Sequence, residues 1–449
     1  MKHGIIVGIG MNSSLTSAIE VDVRHTLRIS TETDEAEMSL RGLARTLGEN
    51  GIAPTLIAEE LFLLATAVFV ADTRLRRDDG DDGWTRQIAI SLPTCDVDRW
   101  NQARAGLERA LRFLTGDLWS LEFRRPASSV RLFATEIAEA DRAGPARVAL
   151  FSGGLDSFIG ALDLIGNGEP LTLVSHYADG SASVPQDNAF AHVQRCADTS
   201  QAVSKIQARI VAPGDIFAAG NDDRQRSRSF LFIALGVLVA QAIGAPELIV
   251  PENGLISLNV PLNDLRIGSY STRTTHPHFL ALLGTVLRAI GIEVSLRNPY
   301  RFKTKGEMLV ECAQQDGLMI AAAGTMSCAH PTSSRWRRKG APALIHCGRC
   351  TACLIRRAAF ARAFGEDSTP YFIQDLTAQE LRSETADGQD IRAVRMAAQR
   401  VVDDPGLADY LVVKPGPLPG EHEQYAELYR RGMGELWTLV STARTRGRY

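Results

Sequence analysis

The sequence predicts an α/β protein whose central part is a doubly wound parallel sheet, preceded by an α+β accessory domain and followed by a mainly helical extension. Three observations carry this. The apolar run Val148-Ala149-Leu150-Phe151 passes through Ser152-Gly153-Gly154-Leu155-Asp156-Ser157 into an apolar helical segment ending near Ile165, which is a strand, a tight glycine turn and a helix. Strand and helix patterns then alternate, as crossover connections between parallel strands require. The length of 449 residues exceeds one typical core and predicts two domains and a tail.

Taken in order, residues 5–9, 21–29, 86–92 and 118–124 have strand patterns, and residues 37–47, 55–70 and 97–114 have helical ones between them. Residues 1–142 are therefore expected to form a mixed α+β domain. Within it, residues 76–83 (RRDDGDDG) predict a solvated hairpin tip; they lack the spacing and terminal glutamate of a calcium loop. Residues 136–147, small, charged and broken by Gly144-Pro145, predict the linker. The central domain, residues 146–364, continues with strands at 171–176, 208–211 and 247–250 and helices at 188–199 and 229–243. Residues 365–449 form the expected helical extension. The apolar stretch 230–250 contains Gln241 and Glu247 and is broken by Gly244 and Pro246, so a buried helix and a core strand explain it better than a membrane span. The apolar run after Lys2 is too short for a secretory signal, which predicts a cytoplasmic protein. A net charge of −3 argues against a nucleic-acid-coating protein, though not against a local basic patch.

The turn carries the first chemistry. At a strand-to-helix junction the first helical N–H groups lack partners and point, with the positive end of the helix dipole, at whatever occupies the turn. That is an anion site. Gly153 and Gly154 let the main chain approach closely, the Ser152 and Ser157 hydroxyls can donate to phosphate oxygens, and Asp156 can contact Mg²⁺. No lysine follows the glycines, so this is not a G-x-x-x-x-G-K-[ST] loop. Parallel sheets bind ligands at the carboxyl ends of their strands, which brings His176 and Tyr177, then Glu252 and Asn253, to the same edge, with Thr275 and His276 as further wall. Arg228 can contact phosphate or an activated carboxylate, and Lys305 and Arg301 can support developing negative charge.

Cys328, Cys347, Cys350 and Cys353 form C-x18-C-x2-C-x2-C, a spacing that lets four thiolates converge on Zn²⁺ and leaves no position open for water. The expected role is structural, with an iron–sulfur cluster as the rival. Cys95, Cys196 and Cys312 are solitary and read as small apolar residues. Between the first two ligands lies the basic stretch 335–339 (RWRRK), an exposed loop by default, with base stacking or an acidic partner as the alternative.

The Ser152–Ser157 turn resembles the PP-loop of the N-type ATP pyrophosphatases, and together with the cysteine knuckle it resembles the 7-cyano-7-deazaguanine synthase (QueC) family over about residues 145–360. Arg228-Ser229-Phe230-Leu231-Phe232 looks like that family's Arg-Asn-x-x-Phe element, with serine replacing asparagine; Pro251-Glu252-Asn253-Gly254, Thr275-His276-Pro277 and Thr304-Lys305-Gly306-Glu307 fall where its substrate loop and Thr-Lys-x-Glu segment lie. The resemblance implies a HUP-like domain using ATP and Mg²⁺. Adenine would be held near His176 and Tyr177, and Glu252 would accept from the amine and ring N–H donors of a deazaguanine. It implies that a carboxylate attacks the α-phosphate, giving an acyl adenylate and pyrophosphate, and that a nitrogen nucleophile then displaces AMP.

The chain departs from the simple synthase in length, and its additions look like those of the longer QueC-like proteins of antiphage defence clusters, most like the QatC type of the Qat system. For those the resemblance implies a protein amine as nucleophile, the N-terminal glycine of a companion protein; residues 1–142, with no visible catalytic constellation, are then the expected docking unit. The alternatives are a free synthase using ammonia, a non-catalytic nucleotide-sensing scaffold, and a tRNA-thiolating PP-loop enzyme; the last is disfavoured by a pI near 6.3 and the lack of a suitably placed cysteine. The oligomeric state is left open.

Overall fold

The computed structural model describes residues 1–446 apart from 12, 14, 127–130, 134–145, 167, 215, 218–221, 223–224, 263–272, 333–343, 379–380, 383–384 and 386–387. Two five-stranded sheets dominate. The first contains β1 (Lys2–Ile9), β2 (Val23–Ser30), β3 (Met38–Ser39), β4 (Gln87–Pro93) and β5 (Leu118–Arg124) in the order β3-β2-β1-β4-β5. The second contains β6 (Arg147–Leu150), β7 (Leu171–Tyr177), β8 (Val203–Arg209), β9 (Glu247–Ile249) and β10 (Ser295–Arg297) in the order β10-β9-β6-β7-β8. Counted within each sheet this is the same order, and every pairing is parallel.

The first sheet corrects the α+β expectation for residues 1–142. Its strands return through α1 (Arg41–Glu49), α2 (Leu56–Arg74) and α3 (Val97–Thr115), which makes it α/β. Between β1 and β2 the return is the segment 10–22, in which the described residues form no helix. This segment lies directly on the sheet. A Cβ on Gly4 would sit 2.8 Å from the Val21 side chain, and one on Gly8 would sit 2.1 Å from Ser13 Oγ. Two glycines four apart on one strand face leave the room a helix would not need.

The expected hairpin tip at 76–83 is a second correction, because β4 runs parallel to its neighbours and residues 77–79 form a single 3₁₀ turn inside the α2-to-β4 crossover. Arg77 there is buried. It donates to Asp117 at 2.8 Å, while Arg86 donates to Asp72 at 2.6 Å and to Asp117 at 2.7 Å. In a cluster of two buried cations and two buried anions, removing one partner costs about 3–5 kcal/mol. Asp72 also accepts the Ser227 N–H at 2.7 Å, which ties the start of α6 (Arg228–Ala242) to α2.

α2 and α6 are apolar on nearly all sides, as helices enclosed by protein must be. They pack on each other between the sheets, and one hydrophobic core runs from Ile5 and Leu64 through Leu235 to Val148 and Leu248. α6 approaches the second sheet closely through Gly236, where a Cβ would lie 2.7 Å from Leu248 and 2.8 Å from Leu150. α3 packs likewise on α8 (Pro277–Ala289).

A separate core around Phe158 and Leu162 joins the second sheet to α4 (Leu155–Ile165), α5 (Gly180–Cys196), α9 (Lys305–Glu311), α10 (Gln315–Ala321) and α11 (Thr351–Phe364). After residue 365, α12 (Gln389–Asp403), α13 (Leu407–Leu411) and α14 (His422–Val440) share a core with α11, and the short strands β11 (Leu381–Arg382) and β12 (Thr445–Arg446) pair. The expected linker lies outside the described residues except for Ala146 and Arg147, and so does the whole basic stretch 335–339. No helix among the described residues is long and apolar enough to cross a membrane.

Candidate functional site

β6 ends at Leu150 and α4 begins at Leu155, so residues 151–154 form the turn at the carboxyl edge of the second sheet, where β6 lies between β7 and β9. Chain connections leave β6 toward one side of the sheet and return on the other, which makes this the switch point where such sheets bind ligands. Gly153 has φ +78°, a left-handed conformation that disfavours any side chain, and a Cβ there would lie 2.8 Å from the Gln186 backbone nitrogen. The two serines of the turn face each other. Their hydroxyls are 3.1 Å apart, Ser157 Oγ accepts from the Ser152 N–H at 3.2 Å, and Gly154 N–H donates to Ser152 Oγ at 3.3 Å.

Behind the turn, Asp156 is buried on the first turn of α4. Lys305 Nζ lies 2.7 Å from its Oδ1, and Asn253 donates to its Oδ2 from both the side chain, at 2.7 Å, and the backbone, at 3.1 Å. Burial opposes the Asp156 charge, but the Lys305 ammonium and these hydrogen bonds outweigh it and hold the carboxyl below its usual range. Glu252, hydrogen-bonded to Asp156, goes the other way. Burial and then the neighbouring Asp156 charge raise it well above the ordinary carboxylate range, so the pair carries one negative charge and one proton.

In front of the turn opens a cavity of about 500 Å³, whose lining includes Ser152, His176, Arg228, Phe232, Glu252 and Thr275. That volume is in the range of small-molecule and cofactor sites. His176 is buried at the end of β7, with Nε2 3.0 Å from Ile210 O and Nδ1 3.4 Å from Arg228 Nε. Desolvation, then the Arg228 charge, lowers its pKa to about 4, so near neutrality it is an uncharged imidazole that donates to the carbonyl and accepts from the arginine. A second cavity of about 430 Å³ shares Thr275 with the first and is lined further by Pro277, Arg288, Asn298, Arg301 and Glu421.

The remaining expected site residues are distributed unevenly. Asn253 is fully buried, caps α7 (Gly254–Leu258) by accepting from Ile256 N–H, and supports Asp156 instead of lining the first cavity. Tyr177 ends β7 without reaching that cavity's lining. His276 caps α8 through Nδ1, packs edge-on against Phe113 of α3, and is pushed by burial, Arg273 and His278 to a pKa of about 3. Arg301 pairs with Glu421 at 3.0 Å on the second cavity. Lys305 opens α9, where Thr304 and Glu307 form a capping box and Glu435 and Arg431 of α14 brace both.

Two residues near the turn had no motif to announce them. Gln186 donates to His176 O at 3.0 Å and reaches Ser152 O at 3.4 Å, bridging the ends of β7 and the turn. It follows Pro185 inside α5, an interruption that is the one local signal available. Ser327 accepts the Leu155 N–H at 3.2 Å from 172 positions away, and its only sequence marker is that Cys328 follows it.

The four cysteine Sγ atoms lie within 4.8 Å of one another, and those of Cys347 and Cys353 are 3.9 Å apart. A tetrahedral zinc site with Zn–S of about 2.3 Å requires S···S of about 3.8 Å, so the donor set fits the ion. Backbone N–H groups of Cys347 and His330 approach Cys328 Sγ at 3.2 Å each, and Gly348 turns the knuckle at φ +83°. Such a site supplies folding free energy and no open coordination position.

No family model matches the chain. It is similar to 7-cyano-7-deazaguanine synthase 1 of Sphingopyxis alaskensis, 29% identical over 151 residues, which is 32% of this chain and 57% of that protein. It is also similar to the 7-cyano-7-deazaguanine synthase of Erythrobacter litoralis, 28% identical over 152 residues, 32% of this chain and 54% of that protein. The chain thus spans little more than half the length of these curated relatives. A solved C2-type ketoreductase from a modular polyketide synthase aligns at 13% identity with a TM-score of 0.21, over 71% of this chain and 85% of that one, too low to bear on the fold. Over about a third of its length, then, the chain is similar to the 7-cyano-7-deazaguanine synthases, the family to which the glycine turn and the cysteine spacing had pointed.

Proposed function

We propose that the chain is an ATP-dependent C–N bond-forming ligase that adenylates 7-carboxy-7-deazaguanine at the Ser152–Ser157 turn and passes the acyl group to an amine. The observation that carries this reading is the glycine turn at the sheet's switch point, with a cavity of about 500 Å³ before it and the Asp156, Glu252 and Lys305 cluster behind it. The turn and α4 hold the leaving pyrophosphate. Arg228, at the cavity wall, pairs with phosphate or with the attacking carboxylate, and the uncharged His176 sets its direction. Glu252, in the cavity lining, is the carboxylate that would meet a Mg²⁺ arriving with the phosphates and give up its proton there, while Asp156 stays paired with Lys305 and Asn253 behind it. Mg²⁺ supplies charge neutralisation when bound. The residues themselves orient the reacting groups and keep water from the acyl adenylate.

For the acceptor we favour the amino terminus of a companion protein of a defence operon over ammonia. Supporting this is the second cavity, which shares the wall residue Thr275 with the first and at about 430 Å³ far exceeds what ammonia needs. Residues 1–142 are the proposed docking unit within the division 1–142, 146–364 and 365–449. The test is pyrophosphate release from ATP with 7-carboxy-7-deazaguanine, and intact-mass measurement of neighbouring proteins co-expressed with the full chain. A deazaguanine adduct on a neighbour supports the protein acceptor. Free nitrile formed from ammonia with no partner present points to the simple synthase, and no pyrophosphate under either condition refutes the adenylation reading and leaves a nucleotide-sensing scaffold.

A further inference from the structure

The segment 325–328 lies between the cysteine knuckle and the glycine turn and is bonded to both. On the knuckle side, Cys328 is one of the four sulfur donors. His346, adjacent to Cys347, places Nε2 2.9 Å from the Thr325 carbonyl, so that this nitrogen donates, and Nδ1 lies 3.9 Å from Cys353 Sγ. Arg356 of α11 donates to Thr325 Oγ1 at 2.9 Å and to Ala322 O at 2.5 Å. Thr325 is buried, and α11 itself begins immediately after Cys350. These bonds fix the segment from behind.

On the turn side, Met326 N–H donates to the Gly153 carbonyl at 2.9 Å, and Ser327 Oγ accepts the N–H of Leu155, the first residue of α4, at 3.2 Å. Leu155 N–H is one of the orphan donors that a bound phosphate oxygen would otherwise take. A hydroxyl suits this position because it can both accept from the amide and donate to an anion. When a phosphate oxygen reaches the turn, Ser327 can release the Leu155 N–H and turn its own proton toward the oxygen. The Met326 bond to Gly153 meanwhile keeps the segment in place.

We propose that Ser327 is a positioning residue of the phosphate turn and that the four-cysteine cluster holds it there, so that metal occupancy sets nucleotide affinity. This rests on the reading of the turn as an ATP site. The knuckle thereby acquires a second role, because without the metal Cys328 loses its anchor, Ser327 moves off the Leu155 amide, and the turn loses the contact that orders it.

The test measures equilibrium binding of ATP with Mg²⁺ to the full-length, zinc-loaded protein, together with zinc content. Ser327→Ala should weaken binding about 2–150-fold, the span expected for one lost hydrogen bond to a neutral or charged partner, with zinc content unchanged. Ser327→Thr keeps the hydroxyl and should restore affinity to within about threefold. Partial zinc withdrawal by a chelator should weaken ATP binding in proportion to the zinc lost in the wild type and much less in Ser327→Ala, since the two changes act through one contact. Equal affinity in wild type and Ser327→Ala, failure of threonine to rescue, or zinc loss in Ser327→Ala would each overturn the proposal. Absence of ATP binding by the zinc-loaded wild type would instead remove the ATP reading beneath it.

Discussion

Gly153 and Gly154 are adjacent and chemically identical, yet the geometry demands opposite consequences from replacing them with alanine. At Gly153 the backbone has φ +78°, and placing an L-residue there costs about 1–2 kcal/mol. The added Cβ would also lie 2.8 Å from Gln186 N and 3.1 Å from Gln186 Cα, atoms of a helix backbone that cannot rotate away. Overpacking of that kind costs about 1–3 kcal/mol, so Gly153→Ala should destabilise by about 2–5 kcal/mol in all. At roughly 2 °C per kcal/mol for a large domain, that is a fall in Tm of about 4–10 °C. Because Gln186 also holds the His176 and Ser152 carbonyls, the strain passes to the cavity wall and ATP binding should fall with stability.

Gly154 sits at φ −82°, and its nearest neighbour to an added Cβ is the rotatable Ser152 Oγ at 3.3 Å. Gly154→Ala should therefore leave Tm within about 2 °C of the wild type, the spread of an ordinary surface substitution. The methyl group nevertheless projects beside Ser152 Oγ, at the mouth of the turn, so the KM for ATP should rise at least tenfold. Thermal unfolding and pyrophosphate-release kinetics on both variants decide the matter. A Gly153→Ala protein as stable as the wild type, or a Gly154→Ala protein with unchanged KM, would refute the account of the turn.

Three further outcomes follow from the same geometry. Lys305→Met removes the ammonium 2.7 Å from Asp156 and leaves two buried carboxyl groups side by side, so it should cost about 3–5 kcal/mol by chemical denaturation and reduce pyrophosphate release at least 100-fold; retention of both would show that Lys305 is an onlooker. Cys350→Ser should lower zinc below one ion per chain and reduce soluble yield, as elemental analysis will show, whereas iron in place of zinc in the wild type would defeat the zinc assignment. His276, buried and neutral with a pKa of about 3, binds a proton less readily folded than unfolded, where the ordinary value is about 6.5. Stability is therefore full above pH 6.5 and falls as pH drops toward 3, by up to about 1.4 kcal/mol per pH unit for this residue. His276→Asn keeps an acceptor for the His278 N–H and should flatten that slope in denaturation curves between pH 6.5 and 4.5; an unchanged slope would show that His276 does not carry it.

What was legible in the sequence was local. The turn at Ser152–Ser157 and the cysteine knuckle each occupy a short stretch whose residue types are dictated by its own backbone, and each stands where its pattern put it, whereas the helix expected at 188–199 spans Gly180–Cys196. The α+β expectation for the first sheet failed for a definable reason. β1, β2, β4, β5, α2 and α3 lie within a few residues of their patterns, whereas β3 falls inside the stretch 37–47 read as helical; strand direction is a property of the connection, and the described residues of the β1-to-β2 return form no helix where they pack on Gly4 and Gly8. Likewise, the charged run at 76–83 hid a buried Arg77, whose partners lie outside the run, Asp72 five residues before it and Asp117 40 residues after it.

The site was half legible for the same reason. Ser152, Asp156, Glu252 and Lys305 belong to short motifs and meet at one edge, whereas Gln186 and Ser327 reach the turn from elements whose own sequences say nothing of phosphate. The most consequential part that escaped the sequence is the burial of α2 against α6. Composition marks both helices as interior but cannot say that they cover each other, and on that contact depends what residues 1–142 are for. Arg228 opens α6, Ser227 before it is held by Asp72 of α2, and the cavity wall is therefore partly set from the first sheet. Removing residues 1–142 would uncover the apolar α2-facing side of α6 and release Arg228 together, so a truncated chain tests folding before it tests docking. Crosslinking of a companion protein to exposed side chains of residues 1–126, in the intact chain, separates the two roles.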